Sequence, residues 1–274
     1  MKSRLLAALA LALLAVSCTG TLPVMSFNVR YGTAQDGDNV WQNRRDAACA
    51  MIRDQHPAVF GVQEALDFQL DYFHEHCPGY QYVGVGREDG VSEGEHMAVF
   101  YDTERIELLN WGTYWLSDTP DIPSMGWDAA CRRTATWTLL KDKTAKRKFY
   151  FVNTHLDHVG KEARRKGLLL IVERIKAMNP EGYPMVLTGD MNVYPEDPCL
   201  KELRELMEDA RETAPVTDSD QTWHDWGKVS GNPPIDYVFY AGFKGCDKFE
   251  VIRQPYDGVP FVSDHYPVKA TLRY

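Results

Sequence analysis

The chain has 274 residues, 30 Lys and Arg against 39 Asp and Glu, and a formal net charge of −9. A surplus of that sign excludes binding to polyanions through bulk charge and leaves phosphate recognition to a metal or a few local Arg residues. The length suits one α/β domain, and no Pro/Ser/Gly-rich linker, repeat or low-complexity stretch divides it.

Residues 1–18 read as a lipoprotein-type targeting segment. Lys2 and Arg4 precede an uninterrupted apolar run over residues 5–16, too short to span a bilayer and without a polar face. Ala15-Val16-Ser17-Cys18 resembles a bacterial lipobox with Cys18 as the lipidated residue, Ala15 standing where Leu is usual. The expectation is an exported lipoprotein, membrane-anchored and facing the periplasm or cell exterior of a bacterium; plain secretion is the second reading. Losing Lys2 and Arg4 leaves 28 basic residues against 39 acidic ones, a net charge of −11. Of the six cysteines, Cys49, Cys77, Cys131, Cys199 and Cys246 then remain, an odd number that leaves at least one thiol free. No CxxC spacing supports a zinc or redox motif.

Strand-like and helix-like segments alternate from there on. Residues 23–28 form a short apolar strand, and residues 41–55 a helix with Ala47, Ala48, Met51 and Ile52 at helical spacing. Residues 58–62 form a buried strand running into Gln63-Glu64, and residues 66–76 a helix with Leu66, Leu70 and Phe73 on one face. Strands are expected at 80–86, 97–101 and 106–116. Residues 134–140 and 149–153 make a hairpin whose basic turn, 141–148, reads as solvated surface and not as a nucleic-acid patch. Residues 161–178 form an amphipathic helix stopped by Asn179-Pro180. A buried strand at 185–188, a helix at 200–207 and strands at 235–240, 249–253 and 266–272 complete the chain. The set fits an α/β class with two packed, mostly antiparallel sheets and helices outside. No Gly-rich phosphate loop follows the first strand, which counts against a doubly wound nucleotide fold.

Several apolar strands end abruptly in residues that are costly to bury. Met25-Ser26-Phe27 ends at Asn28, and Val59-Phe60-Gly61-Val62 at Gln63-Glu64. Phe149-Tyr150-Phe151-Val152 ends at Asn153-Thr154-His155, Met185-Val186-Leu187 leads to Gly189-Asp190-Met191-Asn192, and Ser263-Asp264-His265 precedes Tyr266-Pro267-Val268. An unpaired carboxylate at a core edge costs roughly several kcal/mol unless a cation or donor compensates it. One such ending is ordinary, but several at one end of a sandwich imply a site. Glu, Asp and Asn supply oxygen ligands for a hard ion such as Mg²⁺. A His paired with a carboxylate activates water, and a second His or an Asn amide meets the charge of a pentacovalent phosphorus. No Ser or Cys stands in a nucleophile elbow, and zinc would favour His and Cys ligands.

Taken in order, Ser26-Phe27-Asn28, Gln63-Glu64, Asn153-Thr154-His155-Leu156-Asp157-His158, Gly189-Asp190-Met191-Asn192, Ile235-Asp236-Tyr237-Val238 and Ser263-Asp264-His265 resemble the motif set of the endonuclease/exonuclease/phosphatase superfamily, also called the DNase I-like fold. The resemblance runs over residues 22–274. A single GDxN is weakly diagnostic, whereas the ordered set is specific. It implies a four-layer α/β-β/α sandwich and a phosphoester hydrolase using Mg²⁺, with Mn²⁺ as a substitute. By the same resemblance Glu64 is the principal metal ligand, helped by Asn28, and Asp264 lies beside the metal. His265, held by Asp236, is the general base or the phosphate-polarising group. Asp190 positions the nucleophilic water or the leaving oxygen, Asn192 donates to the phosphate, and His155 faces it from the other side. Glu95 is expected to orient His155. Which His is acid and which is base stays open.

The stretches FNVRY, Trp-x-x-Arg-Arg, RRTATW and THLDH resemble a bacterial exported subgroup of that superfamily. Arg30, Trp127, Arg133, His158 and Trp223 are therefore candidates for holding the rest of the substrate, while Arg45 and Arg164 read as surface and packing residues. The expected substrate is a phosphodiester in nucleic acid, a nucleotide or a lipid headgroup. A phosphomonoester of inositol or sugar is the alternative, and a catalytically dead binding lipoprotein is disfavoured because every motif residue is present. The acidic balance disfavours long duplexes, and clustered Trp and Arg favour a bounded pocket. No protein partner is evident; the one further partner implied is a membrane, through the lipid on Cys18.

Overall fold

The computed structural model describes residues 20–274; the targeting segment and Cys18 lie outside the described residues. One six-stranded sheet contains β1 (Thr21–Asn28), β2 (Val59–Gln63), β3 (Tyr80–Val83), β4 (Val99–Asp102), β11 (Gly245–Val251) and β12 (Val268–Arg273), in the order β11-β12-β1-β2-β4-β3. The other contains β5 (Ile106–Trp115), β6 (Thr134–Asp142), β7 (Arg147–His155), β8 (Met185–Asp190), β9 (Glu208–Asp209) and β10 (Asp236–Ala241), in the order β5-β6-β7-β8-β10-β9. The helices are α1 (Trp41–Gln55), α2 (Asp67–His76), α3 (Lys161–Met178) and the short α4 (Lys201–Leu206) and α5 (Ala210–Thr213).

Side chains alternate between the two faces of each strand, and the central strands β2, β8 and β10 are buried on both, which builds layers. Val24, Val59, Phe151, Val186, Val238 and Leu272 face inward and form the core between the sheets. The opposite face of the first sheet, through Phe27, Phe60 and Val62, packs on Ala48, Met51 and Ile52 of α1 and Leu70 and Phe73 of α2. The opposite face of the second, through Val152, Leu187 and Phe239, packs on Leu168, Ile171, Val172 and Ile175 of α3. Each such fully buried side chain contributes roughly 1.5–3 kcal/mol. The result is the four-layer α/β-β/α sandwich that the motif order implies.

Each sheet is antiparallel except for one central parallel pair. A helix joins both pairs, β1–α1–β2 and β7–α3–β8, because parallel neighbours need a crossover. The register brings chemistry to the strand ends: Asn28 pairs with Gln63 in one sheet and His155 with Asp190 in the other, while Asp190 also pairs with Asp236. Behind these ends a buried amide network joins the sheets. Asn153 Nδ2 donates to Val62 O at 2.7 Å and Ala98 O at 3.0 Å, and its Oδ1 accepts from Gln63 Nε2 at 2.6 Å. Gly61 makes room for it, since a Cβ there would lie 2.4 Å from the Asn153 side chain.

The hairpin turn is tighter than its charged sequence suggests. Asp142 pairs with Arg147, because Arg105 Nη2 donates to the buried Asp142 carboxylate at 2.7 Å and carries the ladder past the expected strand end. β11 begins at Gly245 and not at 249, and β9 and α5 are elements the sequence pattern is too short to reveal.

Candidate active site

Where the two parallel pairs end, a cavity of about 1050 Å³ opens. Arg30, Glu64, Glu95, Arg133, His155, His158, Asp190, Asn192, Trp223, Asp264 and His265 line it. Asn28 and Asp236 stand directly behind, bonded to lining residues. Trp127 does not join them. Its indole Nε1 donates to Asp118 at 3.1 Å and Lys166 lies over its ring, so the substrate role expected of it gives way to a packing role beside α3.

Left-handed backbone shapes the acidic end. Glu64, just past β2, has φ 62°, and Arg30, just past β1, has φ 56°. These conformations are uncommon for residues with a Cβ and mark positions held by their surroundings. Glu64 Oε1 accepts from Asn28 Nδ2 at 2.9 Å, and Oε2 from Tyr31 N at 3.1 Å. Asn28 Nδ2 also donates to Asp190 Oδ2 at 3.1 Å, while its oxygen accepts from Arg30 N at 3.0 Å. The Asn28 amide therefore presents its NH₂, not its oxygen, to the carboxylates: it orients Glu64 and Asp190 and is not placed as an oxygen ligand. Asp264 lies opposite, with Oδ2 at 3.8 Å from Arg30 Nη1 and Oδ1 accepting from Ser263 Oγ at 3.2 Å.

The imidazoles differ in charge. His265 Nδ1 lies 2.9 Å from Asp236 Oδ2, and its Nε2 lies 3.8 Å from Asp190 Oδ2. Burial alone would lower its pKa, but Asp236, Asp190 and Asp264 outweigh that and raise it to about 10. His155 is held well below its ordinary value by burial and by Arg133 and Arg87, so it is neutral. Its Nε2 lies 3.0 Å from Asn192 Nδ2, which also donates to Leu156 O at 3.0 Å. His155 Nδ1 has no partner among the described residues. Glu95 does not orient it: Arg87 Nη1 donates to Glu95 Oε2 at 2.7 Å. Arg87 N also bonds Glu95 O across the same loop, so the nearest full charge captures this carboxylate.

Several residues fit a hard divalent cation. Glu64, His155 and Asp190 offer ligand atoms within 4.8 Å of one another, as do Asp190, Asp236 and His265. Burial, reinforced by Asp236, raises Asp190 to about 7; burial, reinforced by Glu64, also raises Asp264. Such crowding signals a site short of positive charge, and oxygen donors suit Mg²⁺ better than zinc. A third grouping, Cys131, Asp157 and His158, is unlike it. There Asp157 already accepts from Ala130 N, Val159 N, Gly160 N and Arg133 Nε, and the Arg133 guanidinium occupies the place of a cation.

The far wall is basic. Arg87, Arg133, Lys161 and Arg164 line it, with Arg30 at the near edge. Arg133 Nη2 lies 2.9 Å from His158 Nδ1, and Arg133 Nη1 is buried without a partner among the described residues. Tyr31, the last residue of FNVRY, lines the cavity beside Arg30, whereas Arg87, Lys161 and Tyr194 were not identifiable from the motifs, because these lining groups come from separated segments and no contiguous basic or aromatic run announces them. Arg164, read as packing, reaches the cavity; Arg45 stacks over Tyr72 instead. Trp223 forms an antiparallel backbone bridge with His265, which fixes the loop that brings its indole to the cavity.

A two-sheet sandwich with this arrangement of acids, amides and imidazoles defines a phosphoester hydrolase of DNase I-like architecture. The chain belongs to the Endonuclease/Exonuclease/phosphatase family, whose sequence model matches residues 25–265. It is similar to a mannosyl-6-phosphatase of Bacteroides thetaiotaomicron, at 32% identity and TM-score 0.88, covering 92% of this chain and 100% of that one. An endonuclease/exonuclease/phosphatase of Bacteroides vulgatus is 38% identical with TM-score 0.86, covering 92% and 98%. TDP2 of D. rerio, complexed with single strand DNA product, is 18% identical with TM-score 0.74 over 93% of this chain and 100% of that one, and shares the fold alone.

Proposed function

We propose that the chain is a metal-dependent phosphomonoesterase acting on a phosphorylated sugar, exported and anchored through Cys18. The observation that carries the substrate class is the likeness, over that chain's whole length, to a mannosyl-6-phosphatase. The cavity agrees with it chemically. A terminal phosphate is a dianion, and Arg30, Arg133 and the His265 imidazolium supply positive charge around the acidic end. Trp223, Tyr31 and Tyr194 supply faces for a sugar ring. The diester expectation becomes the second arm of the test.

Glu64 would hold the cation, with Asp264 nearby. When bound, a hard divalent ion supplies Lewis-acid polarisation of a phosphoryl oxygen. The chain's own groups do the rest. Asp236 keeps His265 protonated, so that Nε2 donates a hydrogen bond to a phosphoryl or leaving-group oxygen. This favours an acid or polarising role over a base role for His265 in the resting state. Asp190, poised near neutrality and anchored by Asn192 N at 2.9 Å, orients the attacking water and takes its proton. Asn192 and neutral His155 face the phosphate from the opposite side.

Purified mature protein, with Mg²⁺ or Mn²⁺, is to be assayed against hexose 6-phosphates, inositol phosphates, nucleotides, glycerophosphodiesters and single-stranded oligonucleotides. Phosphate release is expected from hexose 6-phosphates with the highest kcat/KM. Faster turnover of any diester than of every monoester would overturn the reading.

A further inference from the structure

Arg44 is a buried charge that the chemistry above does not use. It sits on α1, is 2% exposed, and no carboxylate bonds to it among the described residues. Its guanidinium donates only to backbone carbonyls: Nε to Asn39 O at 3.0 Å, Nη1 to Val29 O at 2.6 Å and Val262 O at 3.0 Å, and Nη2 to Arg30 O at 2.9 Å. The indoles of Trp41 and Trp226 lie 5.1 and 5.4 Å from it. An unpaired buried cation is expensive. Only a planar fork reaches carbonyls of separate segments at once, which neither an ammonium nor an apolar side chain can reproduce.

Those carbonyls flank the acidic end of the site. Arg30 is the left-handed residue after β1, and Gln69 Nε2 joins Arg44 on its carbonyl at 3.1 Å. Held that way, Arg30 N reaches Asn28 Oδ1 and the next amide, Tyr31 N, reaches Glu64 Oε2. The turn thus aims both Asn28 and Glu64. Val262, on the other prong of Arg44, directly precedes Ser263, whose hydroxyl donates to Asp264. We propose that Arg44 is a positioning residue for cation binding: one guanidinium holds the Arg30 turn, and with it Glu64 and Asn28, in register with the Ser263–Asp264 segment.

The inference rests on the reading that this end of the cavity takes a divalent ion. Arg44→Lys keeps the charge on a single nitrogen, and Arg44→Gln keeps a planar amide without charge. Mn²⁺ binding to the metal-free mature protein is to be followed by electron paramagnetic resonance, with near-UV circular dichroism reporting the fold. Both variants should fold and bind Mn²⁺ about 10–100-fold more weakly, as when a group orienting a metal ligand is removed. KM for a hexose 6-phosphate at saturating metal should stay within about twofold while kcat falls. Wild-type Mn²⁺ affinity in either folded variant overturns the proposal, and so does loss of fold in both, which would make Arg44 a folding residue only. Absence of Mn²⁺ binding by the wild type would instead sink the metal reading itself.

Discussion

His265 directs Nδ1 at Asp236 Oδ2 across 2.9 Å, and both side chains are buried. The carboxylate keeps a buried imidazole charged. Because the folded pKa, about 10, lies above that of a free imidazole, the pair's stabilisation is complete below the free value and lost as pH rises through the folded one. Asp236→Asn should therefore lower Tm most near pH 6 and least above pH 10. It should also cut kcat by about 10²–10⁴-fold, the range for a positioned proton donor. Thermal melts from pH 6 to 10.5 together with turnover at neutral pH check both. A Tm difference that grows with pH would contradict the assignment.

Asp190 has the opposite relation to stability. Burial and Asp236 raise its pKa to about 7, above that of a free carboxyl, so its cost appears as pH rises from the free value through the folded one. In EDTA at pH 8, Asp190→Asn should melt higher than wild type, by about 2–4 °C per kcal/mol relieved. Near pH 4 the two should coincide. Its oxygen can still accept from Asn192 N, so the turn survives while turnover is lost. A lower Tm at pH 8 would mean that the carboxylate is not under electrostatic strain.

What the sequence made legible follows the same physics. The bounds of α1 and α3 coincide with the expected ones because apolar spacing runs the full length of each: in α3, Ala163, Gly167, Leu168, Ile171, Val172 and Ile175 are buried. Polar residues at the ends of apolar strands pointed to the cavity because their burial demands compensation. Partner choice was not legible. Glu95 has Arg87 across its own loop, a pairing set by the fold of residues 86–96, not by the strand pattern. Arg44 reads as one of two adjacent arginines, and only the return of the chain at Val262 distinguishes it from Arg45, which stacks on Tyr72.

If Cys18 carries the proposed lipid, Cys18→Ala should move the protein from the membrane fraction to the soluble one, because acyl chains would then supply the anchor. Fractionation of cells expressing each form, followed by immunoblotting, reads this out. Retention of the variant in membranes would remove lipidation from the proposal.

Glu64→Gln keeps one acceptor oxygen, enough for Asn28 or for Tyr31 N but not for both, and removes the charge that a divalent ion would meet. Turnover should fall by roughly 10²-fold or more, because Lewis-acid stabilisation amounts to several kcal/mol. The Mg²⁺ concentration for half-activation should rise as well. Wild-type protein treated with EDTA should lose activity and regain it with Mg²⁺. Full activity in EDTA would reject a metal-dependent mechanism whatever the variant does.

Trp223 offers a test of the proposed sugar recognition that is separable from the chemistry. Its indole lines the cavity while its backbone bridges that of His265. If the indole stacks on the sugar, Trp223→Ala should raise KM for hexose 6-phosphates about 3–10-fold, the equivalent of one aromatic contact. KM for glycerol phosphate, which has no ring to stack, should hold, and Trp223→Phe should restore most of the hexose binding. A loss shared equally by both substrates and expressed in kcat would assign Trp223 to supporting His265 through the strand bridge. The sugar would then have to be sought on Tyr31 and Tyr194.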